Sequence, residues 1–144
     1  MTHKDRGNYS GKHDGGRELN PDIVNAIREK VENNNITCAA AFKIAENSGN
    51  APEEIGFTLD MLEMRIIRCQ MGIFGYEPEK KAVKPMEKVP GELENAIKEK
   101  LLNEKLTCAS AWEIARALGR PKMDVSSACE KLGVKIKPCQ LGAF

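Results

Sequence analysis

Residues 37–55 read TCAAAFKIAENSGNAPEEI, and residues 107–125 read TCASAWEIARALGRPKMDV. In both stretches the apolar positions recur at helical spacing: Ala41, Ile44 and Ala45 in the first, Ala111, Ile114 and Ala115 in the second. Thr37 and Thr107 stand where a hydroxyl can accept an orphan backbone N–H at the head of that helix. Gly49 and Gly119 stand where it should end, because glycine takes the left-handed C-terminal turn at least cost. Pro52 and Pro121 then suit the first turn of a following helix. Each stretch therefore reads as two helices joined by a tight turn.

Working outward, adding 70 to a position in residues 19–74 gives its counterpart in 89–144 without a gap, and 19 of the 56 aligned positions are identical. We read this as an internal duplication. A helix precedes each stretch, with Ile23, Ile27 and Val31 at four-residue steps matched by Leu93, Ile97 and Leu101. Ile36-Thr37 and Leu106-Thr107 form short extended pieces. The last helix of each copy buries Ile55, Leu59 and Leu62, or Val125, Cys129 and Leu132. A strand rich in Ile and Val follows, Met64 to Cys69 and Val134 to Cys139. The expected fold class is mainly α with short β. The expected organisation is a polar tail (1–18), a first repeat (19–76), a solvated Lys-, Glu- and Pro-rich linker (77–88) and a second repeat (89–144). Each repeat is near the lower size limit for independent stability, so the two are expected to pack on each other or on another chain.

Ala45-x3-Gly49-x5-Ile55 and Ala115-x3-Gly119-x5-Val125 resemble the helix-turn-helix signature, in which a small residue lets two helices approach and a glycine makes the turn. With the flanking helix, extended piece and strand, each copy is similar to a winged helix. No second wing strand follows Cys69 or Cys139, so the wing is truncated or replaced by the segment after it. The resemblance implies double-stranded DNA as partner, a role in transcription regulation, and insertion of the outer face of the third helix into the major groove.

Charge tempers that implication. Lysine and arginine number 22 against 21 acids, a net charge of +1, and neither copy carries a strong basic field. Stepping 100° per residue around the third helix of the second copy gives an outer face of Ser127, Glu130 and Lys131. Ser126 lies at its edge, and Arg120, Lys122 and Met123 near its start. Lys135 and Lys137 on the strand can add phosphate contacts. The DNA-binding set is thus Arg120, Lys122, Ser126, Ser127, Lys131, Lys135 and Lys137. The first copy presents Phe57, Asp60 and Met61 instead, with Glu53 and Glu54 at the start. Its acids repel phosphate, and Phe57 and Met61 read as a patch for a protein partner or a second copy of the chain. The alternatives to DNA binding are a protein-interaction or oligomerisation adaptor and a cysteine-based metal or redox sensor.

Cys38 and Cys108 follow the caps of their helices, where the dipole favours a thiolate. If the extended piece pairs with the strand, Cys38 lies near Cys69, and Cys108 near Cys139. Those four could hold metal or form redox pairs, yet no Cys-x2-Cys spacing occurs, and repeated cysteines also arise as small buried hydrophobes. No metal or cofactor is assigned. Cys129 replaces Leu59 on a core stripe and reads as packing. Cys69-Gln70-x-Gly72-x-Phe74 and Cys139-Gln140-x-Gly142-x-Phe144 read either as a strand end that turns at glycine and tucks its phenylalanine over the core, or as a contact surface built on Gln70 and Gln140. His3 and His13, with Tyr9, lie in the polar tail and read as solvated. Neither repeat contains a histidine, and no phosphate loop, nucleophile elbow or carboxylate pair is found, so no enzyme is expected. No apolar run approaches the ~20 residues of a membrane span, and Met1 to Gly16 lacks the apolar core of a secretory signal. A cytoplasmic location is expected.

Overall fold

The computed structural model describes residues 18–143, so His3, Tyr9, His13 and Phe144 lie outside the described residues. The fold is mainly helical with short strands, and contacts divide it into two units. Unit 1 is built on residues 18–69 and the C-terminal segment beginning at Gln140; unit 2 is Gln70–Cys139. This division departs from the repeat boundaries. Residues 70–88 belong to unit 2, and the segment after Cys139 belongs to unit 1.

Unit 1 runs α1 (Pro21–Lys30), β1 (Asn35–Thr37), α2 (Cys38–Ser48), α3 (Pro52–Met61) and β2 (Arg65–Ile67). Asn20 caps α1, its side chain accepting from the Asp22 N–H, while Ile23 and Ile27 turn inward at 0% exposure. Thr37 Oγ1 accepts from Ala40 N–H at 3.1 Å, and Gly49 ends α2 in the left-handed region at φ 71°. Asn50 N–H then reaches back to the Ala45 carbonyl at 3.1 Å, consuming one of the orphan carbonyls of the helix end. In α3 all six residues from Ile55 to Asp60 are buried, so this helix has no open outer face there. Thr58, fully buried, donates to the Glu54 carbonyl at 2.9 Å.

Unit 2 has the same element order: α4 (Gly91–Glu99), β3 (Lys105–Leu106), α5 (Cys108–Leu118), α6 (Lys122–Leu132) and β4 (Lys135–Ile136). Thr107 Oγ1 accepts from Ser110 N–H at 3.0 Å, and Gly119 closes α5 at φ 63°. β1 pairs with β2 in parallel, Ile36 opposite Ile66, and β3 pairs with β4 in parallel, Leu106 opposite Ile136. Both strand pairs are shorter than the runs Met64 to Cys69 and Val134 to Cys139. Arg68 at φ 51° and Pro138 interrupt the extended chain.

The segment 81–86 is not the solvated linker its composition implies. Val83 is 7% exposed, and the N–H groups of Ala82 and Val83 both donate to the Gly72 carbonyl, at 2.8 and 3.0 Å. Its charged side chains face water, but its backbone and one valine are held against unit 2.

Two short segments complete the cores. In unit 2 Met71 is 1% exposed, and Ser126 Oγ on α6 donates to its carbonyl at 2.6 Å. In unit 1 Leu141 is 1% exposed, and a Cβ on Gly56 of α3 would stand 1.8 Å from its carbonyl oxygen. Glycine there is a condition of the packing. Met71 and Leu141 tuck inward, while Phe74 is half-buried. The chain turns at glycine as expected, with Gly72 at φ 75° and Gly142 at φ 74°.

Gly56→Ala is expected to destabilise the protein by about 1–3 kcal/mol, because backbone must move to admit the methyl. Gly91→Ala, at a helix start with nothing within 4 Å, should be neutral or stabilising. Urea unfolding of the two variants measures the contrast, and equal midpoints would refute the close approach.

Candidate functional site

The outer face of α6 is occupied by the protein's own chain. Ser127 Oγ donates to the Lys84 carbonyl at 2.6 Å, and the Ser127 carbonyl accepts from Met86 N–H at 3.1 Å. Lys81 pairs with Glu130. At the edge, Ser126 is 1% exposed and spends its hydroxyl on the Met71 and Met123 carbonyls. Near the helix start, Lys122 Nζ donates to Gln70 Oε1 at 3.0 Å and lies 3.9 Å from the centre of the Trp112 ring. Arg120 pairs with Asp124 at 3.3 Å. Four of the seven residues expected to contact DNA are therefore engaged internally, and the major-groove face assigned to α6 is corrected: the 81–86 segment and Met71 already cover it. Gln70 likewise serves unit 2 internally through Lys122.

The patch expected in the first copy is corrected as well. Phe57 is 3% exposed and Met61 half-buried, so no exposed Phe–Met pair exists. The helical wheel treated α3 as covered on one side only, whereas it is covered around Ile55–Asp60.

Lys131, Lys135 and Lys137 remain exposed. Lys131 lies in the last turn of α6, and the chain runs from there into β4. Lys135 is the register partner of Lys105 on β3, also exposed, and Lys137 extends the ladder by donating its N–H to the Leu106 carbonyl at 2.8 Å. Leu106 and Ile136 point into the core between these lysines. Side chains alternate along a strand, so Lys105, Lys135 and Lys137 share the solvent side of one ladder. None of these four lysines is in an ion pair among the described residues. Lys105 was not in the expected set; its signal was a position opposite Lys135 once the two extended pieces were paired.

Like charges facing each other across a ladder oppose folding. The equivalent pair in unit 1 is Asn35 and Arg65, which avoids that repulsion. Unit 1 has instead an open recess of about 340 Å³ lined by Lys30, Glu32, Asn33, Asn35, Thr37 and Ile67. The matching positions in unit 2 exchange Glu32 for Leu102, Asn35 for Lys105 and Ile67 for Lys137. Unit 2 carries 13 lysines and arginines against 10 acids, a net +3, whereas the remainder of the chain has 9 against 11, a net −2.

All five cysteines are thiols. Cys38, Cys69 and Cys108 are buried and Cys139 is half-buried. Cys108 N–H donates to the Pro138 carbonyl at 3.1 Å, which brings Cys108 beside Cys139 as expected. No cluster of three or more His, Cys, Asp or Glu able to hold a metal occurs among the described residues. Burial, and secondarily the charge of Glu130, push the Cys129 thiol up to about 12, which fits its place on the core stripe. No helix among the described residues is long and apolar enough to cross a membrane. No protein-family model, curated protein or solved structure matches this chain.

Lys122→Met keeps the side-chain stem and removes the charge above Trp112, the single tryptophan. The expected loss is about 0.5–1 kcal/mol with a shift in tryptophan emission; an unchanged spectrum would refute the contact. The Cys129 thiol gives a separate test. Its folded value lies above the ordinary 9.0, so its contribution to stability is complete below pH 9 and is lost as pH rises from 9 towards about 12. Stability measured by urea unfolding across that window should fall more steeply for the wild type than for Cys129→Ala. Parallel curves would overturn this.

Proposed function

We propose that the chain is a non-enzymatic regulatory protein, a tandem pair of winged-helix-like domains, whose second unit holds duplex DNA by its phosphates. The winged-helix reading is supported by the common element order of the two units, by ladders that match at an offset of 70, and by the left-handed glycine turns Gly49 and Gly119. Both ladders are parallel, so the DNA contact is assigned to the ladder itself rather than to a hairpin wing. With the outer face of α6 covered by residues 81–86, base reading in the groove is not part of the proposal. The contact is electrostatic, made by Lys105, Lys135 and Lys137 with Lys131 at the helix end.

One observation carries this reading: the Lys105–Lys135 register pair. Neighbouring strands lie about 4.8 Å apart, so two ammonium groups held there repel one another in the free protein. Phosphates lying along the ladder would reverse the sign of that interaction. A ligand that delivers several phosphates at regular spacing, as a duplex does, suits three lysines in a row.

Binding to a short duplex should be measurable at low salt, with log affinity falling linearly in log salt by about 0.9 for each phosphate neutralised. Lys135→Gln should weaken binding and flatten that slope, while raising the stability of the free protein by about 0.2–1 kcal/mol as the repulsion is relieved. Lys43→Gln, an exposed charge on α2, should leave both unchanged. Absence of binding at low salt would overturn the proposal in favour of a protein adaptor, a reading supported by Leu102, 64% exposed beside the same ladder.

A further inference from the structure

We propose that Cys108 and Cys139 form a reversible dithiol–disulfide pair that exchanges with low-molecular-weight disulfides of the glutathione type, while Cys38 and Cys69 remain thiols. The proposal is independent of DNA binding.

Backbone geometry brings the two residues together. Past the β3–β4 ladder the two segments remain bonded, with Lys137 N–H on the Leu106 carbonyl at 2.8 Å and Cys108 N–H on the Pro138 carbonyl at 3.1 Å. The second bond seats the Pro138 carbonyl on the Cys108 N–H, and Cys139 is the next residue, so the two cysteines adjoin one backbone hydrogen bond. A disulfide spans Cα separations of roughly 4.4–6.8 Å. Residues that adjoin one backbone hydrogen bond are within range of that requirement.

Access distinguishes this pair from its counterpart. Cys139 is half-buried, so a small disulfide can reach its sulfur, and Cys108 at 5% exposure waits behind it. In unit 1 both partners are closed off, Cys38 at 5% and Cys69 at 4%. Cys129, 1% exposed in the middle of α6, is equally shielded. One chain therefore contains an accessible pair, a shielded pair and a shielded single thiol.

The step balances as thiol–disulfide exchange. The Cys139 thiolate, having given its proton to solvent, attacks one sulfur of oxidised glutathione. The glutathione S–S bond breaks, and one glutathione leaves as thiolate. The Cys108 thiolate then attacks Cys139 Sγ, forming the Sγ–Sγ bond and releasing the second glutathione. Two protein thiols are oxidised and one external disulfide is reduced to two thiols. Excess reduced glutathione runs both steps backwards.

The test is equilibration of the full chain in oxidised and reduced glutathione mixtures, followed by acid quench, alkylation after unfolding, and peptide mapping by mass spectrometry. The expected result is a linked Cys108–Cys139 peptide, two hydrogens lighter than the separate thiols, with Cys38, Cys69 and Cys129 alkylated. Cys108→Ser should trap Cys139 as its glutathione adduct, and Cys139→Ser should leave Cys108 alkylated. Circular dichroism of each variant confirms that the readout comes from folded protein, and the wild-type map stands without them. Five alkylated cysteines at every ratio would overturn the proposal. So would a stable Cys139–glutathione adduct in the wild type, or a bond joining any other pair.

Discussion

Two backbone carbonyls, those of Met71 and Leu141, are brought against the flank of a helix, and the residue receiving each one decides what the helix can be. Burying a carbonyl without a donor costs about 1–3 kcal/mol, and burying it against a Cβ is sterically worse. Unit 2 meets the first cost: Ser126 on α6 puts its hydroxyl 2.6 Å from the Met71 oxygen. Unit 1 meets the second: Gly56 on α3 leaves vacant the volume into which the Leu141 oxygen projects. The two solutions are not interchangeable, since a serine at 56 would collide with the segment it needs to bind. Once the segments are seated, Met71 and Leu141 fill both cores at 1% exposure.

That seating explains why α6 does not present the open outer face expected from its sequence. The turn at Gly119 is present and α6 follows it, yet that side of α6 carries Met71 at its edge and residues 81–86 across its middle. Ser127 is bonded to the linker through its hydroxyl and its carbonyl together, so the cover is held at backbone level and does not depend on long charged side chains. What remains open is the ladder, whose outward residues are dictated by a period of two. Lys105, Lys135 and Lys137 are the charges that this ladder presents to solvent.

Most of the helical framework was legible because each boundary has a local cause. Thr37 and Thr107 cap, Gly49 and Gly119 terminate, and Ile23, Ile27, Leu93 and Ile97 mark the inward stripes. The segments after Cys69 and Cys139 were legible only as far as the glycine turn. Four or five residues contain no period, and where they dock is decided by a partner surface distant in sequence. The linker was misread for a related reason: seven charged residues between 77 and 88 outweigh one valine in composition, while the docking rests on Val83 and on backbone hydrogen bonds that composition does not reveal. Phe57 was misplaced because a wheel assumes one covered side. The single available hint was the exchange of Gly56 for Ser126 at equivalent positions, which is unexpected on an exposed helix edge.

Two units with one element order act as internal controls for each other. A position occupied alike in both, such as the capping threonines or the turn glycines, is accounted for by the backbone it serves. A position that differs while the local structure stays the same is free of that demand, and something else has to explain its content. Asn35 and Arg65 show that a ladder of this geometry folds with a neutral residue opposite a cation, so Lys105 and Lys135 are not required by the strand pairing. They act against it. Ile67 shows equally that the end of the ladder accepts an aliphatic residue where unit 2 has Lys137. Two departures from the cheaper solution, Lys105 against Asn35 and Lys137 against Ile67, fall on one side of one ladder, beside an exposed leucine at the position matching Glu32. Both changes add positive charge to a ladder whose Lys105, Lys135 and Lys137 are exposed.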